Sequence, residues 1–107
     1  MAMSNDMGVP SYYYGYMYYV YFLRMVNGQI YTGSTGELQN RVVQHENGRV
    51  TTTSKYLPVQ LVGYEAYICK SDAQRRERYM KTTEGKRLFR QQYRDALGDI
   101  GSLSSAG

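Results

Sequence analysis

The chain is poor in several residues that commonly define a class of protein. Its 107 residues include one cysteine, two prolines, two phenylalanines and no tryptophan. A single cysteine, Cys69, excludes an internal disulfide and is typical of a reducing compartment. No apolar run reaches the length of a membrane span, and the N-terminus lacks the basic and apolar pattern of a signal peptide. We therefore expect one intracellular domain without a membrane partner.

Tyrosine is the abundant aromatic residue, with 13 copies. Tyrosine side chains can fill a core or stack on nucleic-acid bases, so their number alone does not distinguish the two roles. Cys69 ends the third apolar run of the sequence, and we expect it to be a small core residue rather than a nucleophile.

Positive charge is concentrated in one part of the chain. The net charge is +4, yet residues 1–69 carry equal numbers of acidic and basic side chains. Residues 70–94 hold most of the lysines and arginines, and the last residues add Asp95 and Asp99. A basic segment on a neutral scaffold indicates a polyanion partner, although a solvated helix face would show the same composition.

The first two strands are predicted to form a hairpin. Tyr18 to Met25 is rich in aromatic and β-branched residues, Asn27-Gly28 is a turn signal, and Gln29 to Gly33 returns as the second strand. A two-residue turn would place Tyr21 and Tyr31 on opposite faces of the sheet. A three-residue loop with a left-handed Gly28 would place both tyrosines on the same face. Local sequence allows both registers.

The elements after the hairpin follow from capping and turn patterns. Ser34 and Glu37 form a capping-box pattern that predicts a helix from about Thr35 to Glu46, and a polar loop then covers residues 48–58. The third strand is expected over residues 59–69, with a bulge at Gly63. A second capping-box pattern predicts a helix over residues 72–82, and a last helix should cover residues 84–97.

The predicted order is ββα-β-αα. It defines an α+β fold with a small three-stranded, mainly antiparallel sheet flanked by helices. Residues 1–16 are predicted to be a flexible, tyrosine-rich leader. Residues 17–97 would form the folded domain, and residues 98–107 a disordered tail.

Five positions give the chain a family resemblance. The tripeptide around Tyr21 is Val-Tyr-Phe, and the tripeptide that begins at Tyr31 is Tyr-Thr-Gly. Arg41 follows ten residues after Tyr31, and His45 lies one helical turn after Arg41. Glu77 lies in a later predicted helix. In order and spacing these residues resemble the GIY-YIG nuclease family. The resemblance spans residues 18–93, and the small single-domain members are the most similar.

The resemblance implies a metal-dependent endonuclease that hydrolyses DNA and leaves 5′-phosphate and 3′-hydroxyl ends. Tyr21 or Tyr31 would be the general base, Arg41 would bind phosphate, and His45 would relay a proton or contact phosphate. Glu77 would hold one Mg²⁺ or Mn²⁺ ion, which keeps most of its waters. The enzyme would then lie in the cytoplasm, the nucleoid or the nucleus.

The nucleic-acid contacts are predicted from small and cationic residues outside the catalytic set. Gly33 suits a close backbone approach, and the cations suit phosphate oxygens. The remaining predicted contacts are Arg49, Lys55, Arg75, Arg78, Lys86 and Arg90. The DNA could be single-stranded, duplex or branched, RNA is a further candidate, and a protein partner could supply targeting.

The sequence departs from the family pattern and leaves alternatives. Its first motif lacks the glycine and isoleucine, so Tyr19 is the alternative to Tyr21, and the asparagine that follows the glutamate in some members has no counterpart. Glu77 could instead pair with Arg78 or Lys81. At the level of function, the alternatives are a nucleic-acid-binding module with weak or no nuclease activity and a protein–protein adaptor with a tyrosine-rich interface.

Overall fold

The structure is a computed structural model that describes residues 17–98. The predicted leader and the tail from residue 99 onward lie outside the described residues. The elements are β1 (Tyr18–Arg24), β2 (Ile30–Thr35), α1 (Leu38–Glu46), α2 (Thr51–Ser54), β3 (Gln60–Tyr67), α3 (Lys70–Met80) and α4 (Thr83–Gln92). The α+β class is confirmed, and the order matches except for the one-turn helix α2, which lies within the predicted loop.

The three strands form an antiparallel sheet in the order β2-β1-β3. The central strand β1 is the most apolar, and its residues from Val20 to Leu23 are almost fully buried. Because β1 lies between the other two strands, β2 is an edge strand of this sheet. In β3 the register against β1 shifts between Phe22 and Leu23, next to Gly63, which confirms the predicted bulge.

The hairpin adopts the three-residue loop. The Met25 amide donates to the Gln29 carbonyl at 2.8 Å, and the Gly28 amide donates to the Met25 carbonyl at 2.8 Å. Gly28 has φ of +87°, a left-handed conformation that suits glycine. Leu23 therefore pairs with Tyr31. Of the two registers that the sequence allowed, this one places Tyr21 and Tyr31 on the same face.

The two faces of the sheet carry separate apolar clusters. One face holds a cluster of Tyr21, Leu23, Met25 and Val59, against which Leu38 of α1 packs. On the other face, Val20 and Phe22 pack against side chains of α3 and α4, namely Ala73, Met80 and Phe89. Each cluster removes apolar surface from water and fixes its helices on one side of the sheet. In the described residues, no helix is long and apolar enough to cross a membrane.

The first predicted helix start is wrong. Strand β2 continues through Ser34 and Thr35, which pair with β1, and α1 begins at Leu38. No side chain caps α1, whose N-cap residue is Glu37, and the Ser34 hydroxyl donates to Glu77. The predicted end of this helix is confirmed, since α1 ends at Glu46 and Gly48 follows with φ of +74°.

The link from β3 to α3 also differs from the prediction. Strand β3 ends at Tyr67, and Cys69 is the N-cap of α3 rather than the last residue of a strand. Its carbonyl accepts the amides of Asp72 and Ala73, so the helix begins two residues early and Ser71 lies inside its first turn. Cys69 is exposed, and the prediction of a buried core cysteine is wrong.

Candidate active site at the edge of the sheet

The ring of Tyr21 lies across the edge strand at Gly33. The two residues are paired in the sheet, and a Cβ atom added to Gly33 would lie 2.6 Å from Tyr21 Oη and 2.7 Å from Cζ. Any larger residue would displace the ring. Gly33 is itself buried, so the structure gives it a packing role beneath Tyr21. Its contact with nucleic acid remains a prediction.

His45 of α1 holds the hydroxyl of Tyr21. Tyr21 Oη lies 2.8 Å from His45 Nε2, and the other ring nitrogen, Nδ1, lies 2.8 Å from Thr53 Oγ1. The His45 and Thr53 side chains are both fully buried. The Tyr31 ring completes the cluster, at 4.9 Å from the His45 ring and 6.2 Å from the Tyr21 ring between centroids. The structure therefore brings Tyr21, Tyr31 and His45 together.

Burial shifts the protonation of this cluster away from charged forms. It raises the pKa of Tyr21 to about 12, against the lowering effect of a hydrogen bond from Arg41. Burial also lowers the pKa of His45 to about 4, and the positive charge of Arg41 adds to this effect. At neutral pH, the free protein therefore holds a neutral phenol hydrogen-bonded to a neutral imidazole.

Arg41 stands one helical turn before His45 on α1. Its Nη1 donates to Gln44 Oε1 at 2.9 Å, and its charge acts on both Tyr21 and His45. The side chain is only partly buried, so its remaining donors are available to a phosphate.

Glu77 reaches the same edge strand from the opposite face. Its carboxylate accepts the Ser34 hydroxyl at 2.5 Å and pairs with Lys81 Nζ at 2.8 Å. Ser34 follows Gly33 directly, and consecutive strand residues point to opposite faces. Burial alone would raise the pKa of Glu77, but the hydrogen bonds from Lys81 and Ser34 outweigh it and lower the pKa below its usual range. Glu77 is therefore a carboxylate at neutral pH.

The donor set at Glu77 fits a hard, hydrated cation. Among residues 17–98, no group of three or more His, Cys, Asp or Glu side chains could enclose a metal. A carboxylate has about four lone-pair positions, and Ser34 and Lys81 occupy two of them. A lone ionised carboxylate suits Mg²⁺, which binds through one or two carboxylates and keeps its waters, whereas structural zinc needs four protein ligands.

Two cavities lie along β2. The larger, of about 710 Å³, lies beside the first half of the strand and is lined by Tyr31, Thr32, Lys81, Lys86 and Arg90 among others. The smaller, of about 280 Å³, lies beside the second half, where Ser34 and Thr35 face Lys70. We refer to the two cavities together as the β2 channel, to which Lys70, Lys81, Lys86 and Arg90 contribute positive charge.

The structure separates the predicted nucleic-acid contacts into two groups. Lys86 and Arg90 line the β2 channel. The other four cations are exposed and line neither cavity, and one of them, Arg75, pairs with Asp72 at 2.8 Å. These other four are Arg49, Lys55, Arg75 and Arg78.

Sequence reasoning missed four residues of the site. Ser34 was interpreted as a helix cap, Thr53 as part of a polar loop, Lys70 only as a member of the basic segment, and Lys81 only as a possible ion-pair partner of Glu77. Lys81 had a local signal, because it lies four residues after Glu77 on one helix and was already its candidate partner. For Ser34 the partner is 43 residues away, and no local pattern indicates it.

Comparison with known proteins identifies the family of the chain. The model of the GIY-YIG catalytic domain matches residues 17–93. The chain therefore belongs to the GIY-YIG family, a family of nucleases. The predicted resemblance is confirmed.

Among individual proteins, the chain is similar to the group named UPF0213. A UPF0213 protein of Staphylococcus saprophyticus is 36% identical over 66 residues, which cover 61% of this chain and 80% of the relative. One from Clostridium perfringens is 41% identical over 69 residues, covering 61% and 71%. The solution NMR structure of UPF0213 protein BH0048 from Bacillus halodurans is 30% identical, covers 68% of this chain and 81% of its own, and has a TM-score of 0.46.

Proposed function

We propose that the protein is a metal-dependent endonuclease that hydrolyses DNA phosphodiester bonds and leaves 5′-phosphate and 3′-hydroxyl ends. The observation that carries this proposal is the buried hydrogen bond between Tyr21 and His45 beside Arg41. The tyrosine and histidine provide a proton acceptor, and the arginine provides a permanent positive charge beside it. Both are required for the attack of water on a phosphate.

The two tyrosines differ in their access to water. Tyr21 is 1% exposed and its hydroxyl is held by His45. Tyr31 is less buried and lines the β2 channel. In the proposed path, Tyr31 accepts the proton of the attacking water and passes its own to Tyr21, whose proton moves to His45 Nε2. The water oxygen forms a bond to phosphorus as the bond from phosphorus to the 3′-oxygen breaks, and the 3′-oxygen takes a proton from solvent to become the 3′-hydroxyl.

Substrate must be bound before this proton path operates. Burial raises the pKa of Tyr21 to about 12 and lowers that of His45 to about 4, so complete proton transfer between them is costly in the free protein. Positive charge near the developing anion lowers that cost, because it favours the ionised phenol. Arg41 supplies part of this charge from α1.

Glu77 would bind the metal ion that supplies the remaining positive charge. Its ionised carboxylate is fixed by Ser34, on the opposite face of β2 from the tyrosines. A bound Mg²⁺ or Mn²⁺ ion would supply positive charge for the departing 3′-oxygen. Lys81 pairs with the same carboxylate, so it would move aside when a cation binds.

In this proposal the β2 channel binds the nucleic acid. The backbone would run along β2, with its phosphates near Lys86 and Arg90 in the larger cavity and near Lys70 in the smaller one. Contacts of this kind position a backbone without reading sequence, so we expect low sequence specificity, with RNA as a competing ligand and targeting by a protein partner. With such a substrate we expect the protein to act inside the cell.

A cleavage assay with matched variants tests the proposal. Labelled single-stranded, duplex and branched DNA would be incubated with Mg²⁺ or Mn²⁺, or with chelator, and with wild type, Glu77→Gln or Glu84→Gln. Glu84 is an exposed acid at the start of α4 and serves as the control. We expect metal-dependent cutting by wild type and Glu84→Gln, and a loss of at least about 100-fold in Glu77→Gln with DNA binding retained.

Tyrosine variants test the order of the proton path. Because both hydroxyls belong to the path, Tyr21→Phe and Tyr31→Phe should each reduce cutting by about 100-fold or more. Normal cutting by Tyr31→Phe with inactive Tyr21→Phe would show instead that Tyr21 meets the water directly.

A second candidate function is a nucleic-acid-binding module without nuclease activity. The ion pair between Lys81 and Glu77 favours it, since that carboxylate already has a cationic partner. The same assay separates the two candidates. A binding module would retain DNA affinity, cut none of the substrates with either metal, and respond to Glu77→Gln no more than to Glu84→Gln.

A further inference from the structure

Thr53 lies at the far end of the hydrogen-bonded chain that begins at Tyr21. It belongs to a run of three threonines in α2, of which Thr51 and Thr52 are exposed and Thr53 is fully buried. Its Oγ1 is 2.8 Å from His45 Nδ1, on the side of the ring opposite to Tyr21. Since buried polar groups need partners, this contact determines where the imidazole carries its proton.

The hydrogen positions follow from the donors and acceptors of the chain. The Thr53 hydroxyl donates toward the Val50 carbonyl at 3.5 Å, which leaves its lone pairs free for a donor. If His45 Nδ1–H donates to Thr53, His45 Nε2 is left without a proton. Nε2 lies 2.8 Å from Tyr21 Oη and can then accept the Tyr21 hydroxyl. In this arrangement each hydrogen of the chain has an acceptor.

We propose that Thr53 is a positioning residue, which holds the His45 proton on Nδ1 so that Nε2 can accept the proton of Tyr21. The opposite tautomer would carry a hydrogen on Nε2, and His45 could then only donate to Tyr21. When Nε2 takes the proton, the imidazole becomes a cation whose Nδ1–H remains bonded to Thr53. This role in catalysis rests on the proposed nuclease function. The assignment of the His45 proton to Nδ1 does not depend on that function.

The chain offers an unambiguous readout, because His45 is its only histidine. The ¹⁵N chemical shifts of the imidazole nitrogens would be measured near pH 7.5, where His45 is neutral, in wild type and in Thr53→Val, Thr53→Ser and Thr51→Val. Valine has nearly the shape of threonine but cannot accept a hydrogen bond, serine retains the hydroxyl, and Thr51 is the exposed control. Cleavage by the same proteins would be measured alongside.

We expect wild type, Thr53→Ser and Thr51→Val to carry the proton on Nδ1. In Thr53→Val the Nδ1–H would lose its acceptor, so the proton should move largely to Nε2 and cleavage should fall about 10- to 100-fold. If Thr53→Val does not fold, Thr53→Ala takes its place with the same expected shift.

Three results would overturn the proposal. The first is a wild-type protein with its proton on Nε2. A second is a valine or alanine variant that keeps the wild-type tautomer, and a third is a variant with the changed tautomer that cuts DNA at the wild-type rate. If wild type cuts no substrate, the nuclease proposal fails by itself, and the ¹⁵N shifts still decide the tautomer.

Discussion

Replacing Gly33 by alanine should disrupt the centre of the proposed site. The added Cβ would lie 2.6 Å from Tyr21 Oη, whereas an ordinary contact begins near 3.4 Å. Either the Tyr21 ring or the edge strand must therefore move by about 1 Å, which in a packed interior forces neighbouring groups out of their preferred positions. The Tyr21 hydroxyl lies 2.8 Å from His45 Nε2, so this movement also breaks or distorts that hydrogen bond.

Both effects contribute to the expected loss of stability. Overpacking of a core typically costs about 1–3 kcal/mol, and a lost buried hydrogen bond adds about 1 kcal/mol. We expect Gly33→Ala to lower the free energy of unfolding by about 2–4 kcal/mol. Cleavage should fall by about 100-fold, because a displacement of about 1 Å is enough to misplace the groups of an active site.

Gly36 provides the matched control for this substitution. A Cβ at Gly36 would meet Tyr18 Cε1 at 3.5 Å, an ordinary contact, so Gly36→Ala should change stability by less than about 0.5 kcal/mol. Urea unfolding of both variants measures the free energies, and cleavage of labelled DNA measures the rates. Wild-type stability and wild-type cleavage in Gly33→Ala would refute the placement of Tyr21 over the edge strand.

Three further predictions concern packing, pH and salt. A Cβ at Gly63 would lie 2.3 Å from Tyr93 Cε2, so Gly63→Ala should lower urea stability by about 1–3 kcal/mol, and adding Tyr93→Leu should recover part of it. The folded-state pKa of His45, about 4, is below its unfolded value of 6.5, so the unfolded chain binds more protons between these pH values. Unfolding free energy should therefore fall by up to about 3 kcal/mol as the pH is lowered through this window, and His45→Gln should remove that component. Replacing Lys86 and Arg90 by alanine should reduce the slope of log affinity for duplex DNA against log salt by about 2, in a salt titration of binding.

The hairpin shows how far local sequence determines the site. The strands, the turn and the end of α1 follow from β-propensity and turn residues close in the chain. The register does not, because Asn27-Gly28 is compatible with a two-residue and a three-residue loop. The three-residue loop leaves Gly28 in its left-handed conformation and pairs Leu23 with Tyr31. The choice between the two therefore lies with the packing of the sheet faces.

Ser34 shows where local patterns fail. A serine three residues before a glutamate commonly caps a helix, and that pattern is present at Ser34 and Glu37. In the structure β2 continues through Ser34 because it pairs with Val20, and the hydroxyl binds Glu77. Because Ser34 is a strand residue and α1 begins at Leu38 with Glu37 as its N-cap, the capping position of this helix is not at Ser34. The burial of Thr53 is of the same kind, since its partner His45 belongs to another helix.

The adjacent pair of Gly33 and Ser34 explains how a single strand can serve two faces of the sheet. Gly33 leaves room for Tyr21 on one face, and Ser34 fixes Glu77 on the other. A slip of β2 by one residue would turn Ser34 toward Tyr21 and Gly33 toward Glu77, and both contacts would be lost together. The loop at Gly28 sets this register from five residues away. Gly33 and Ser34 both belong to an edge strand of this sheet, and the basic side chains of the β2 channel lie along the same strand.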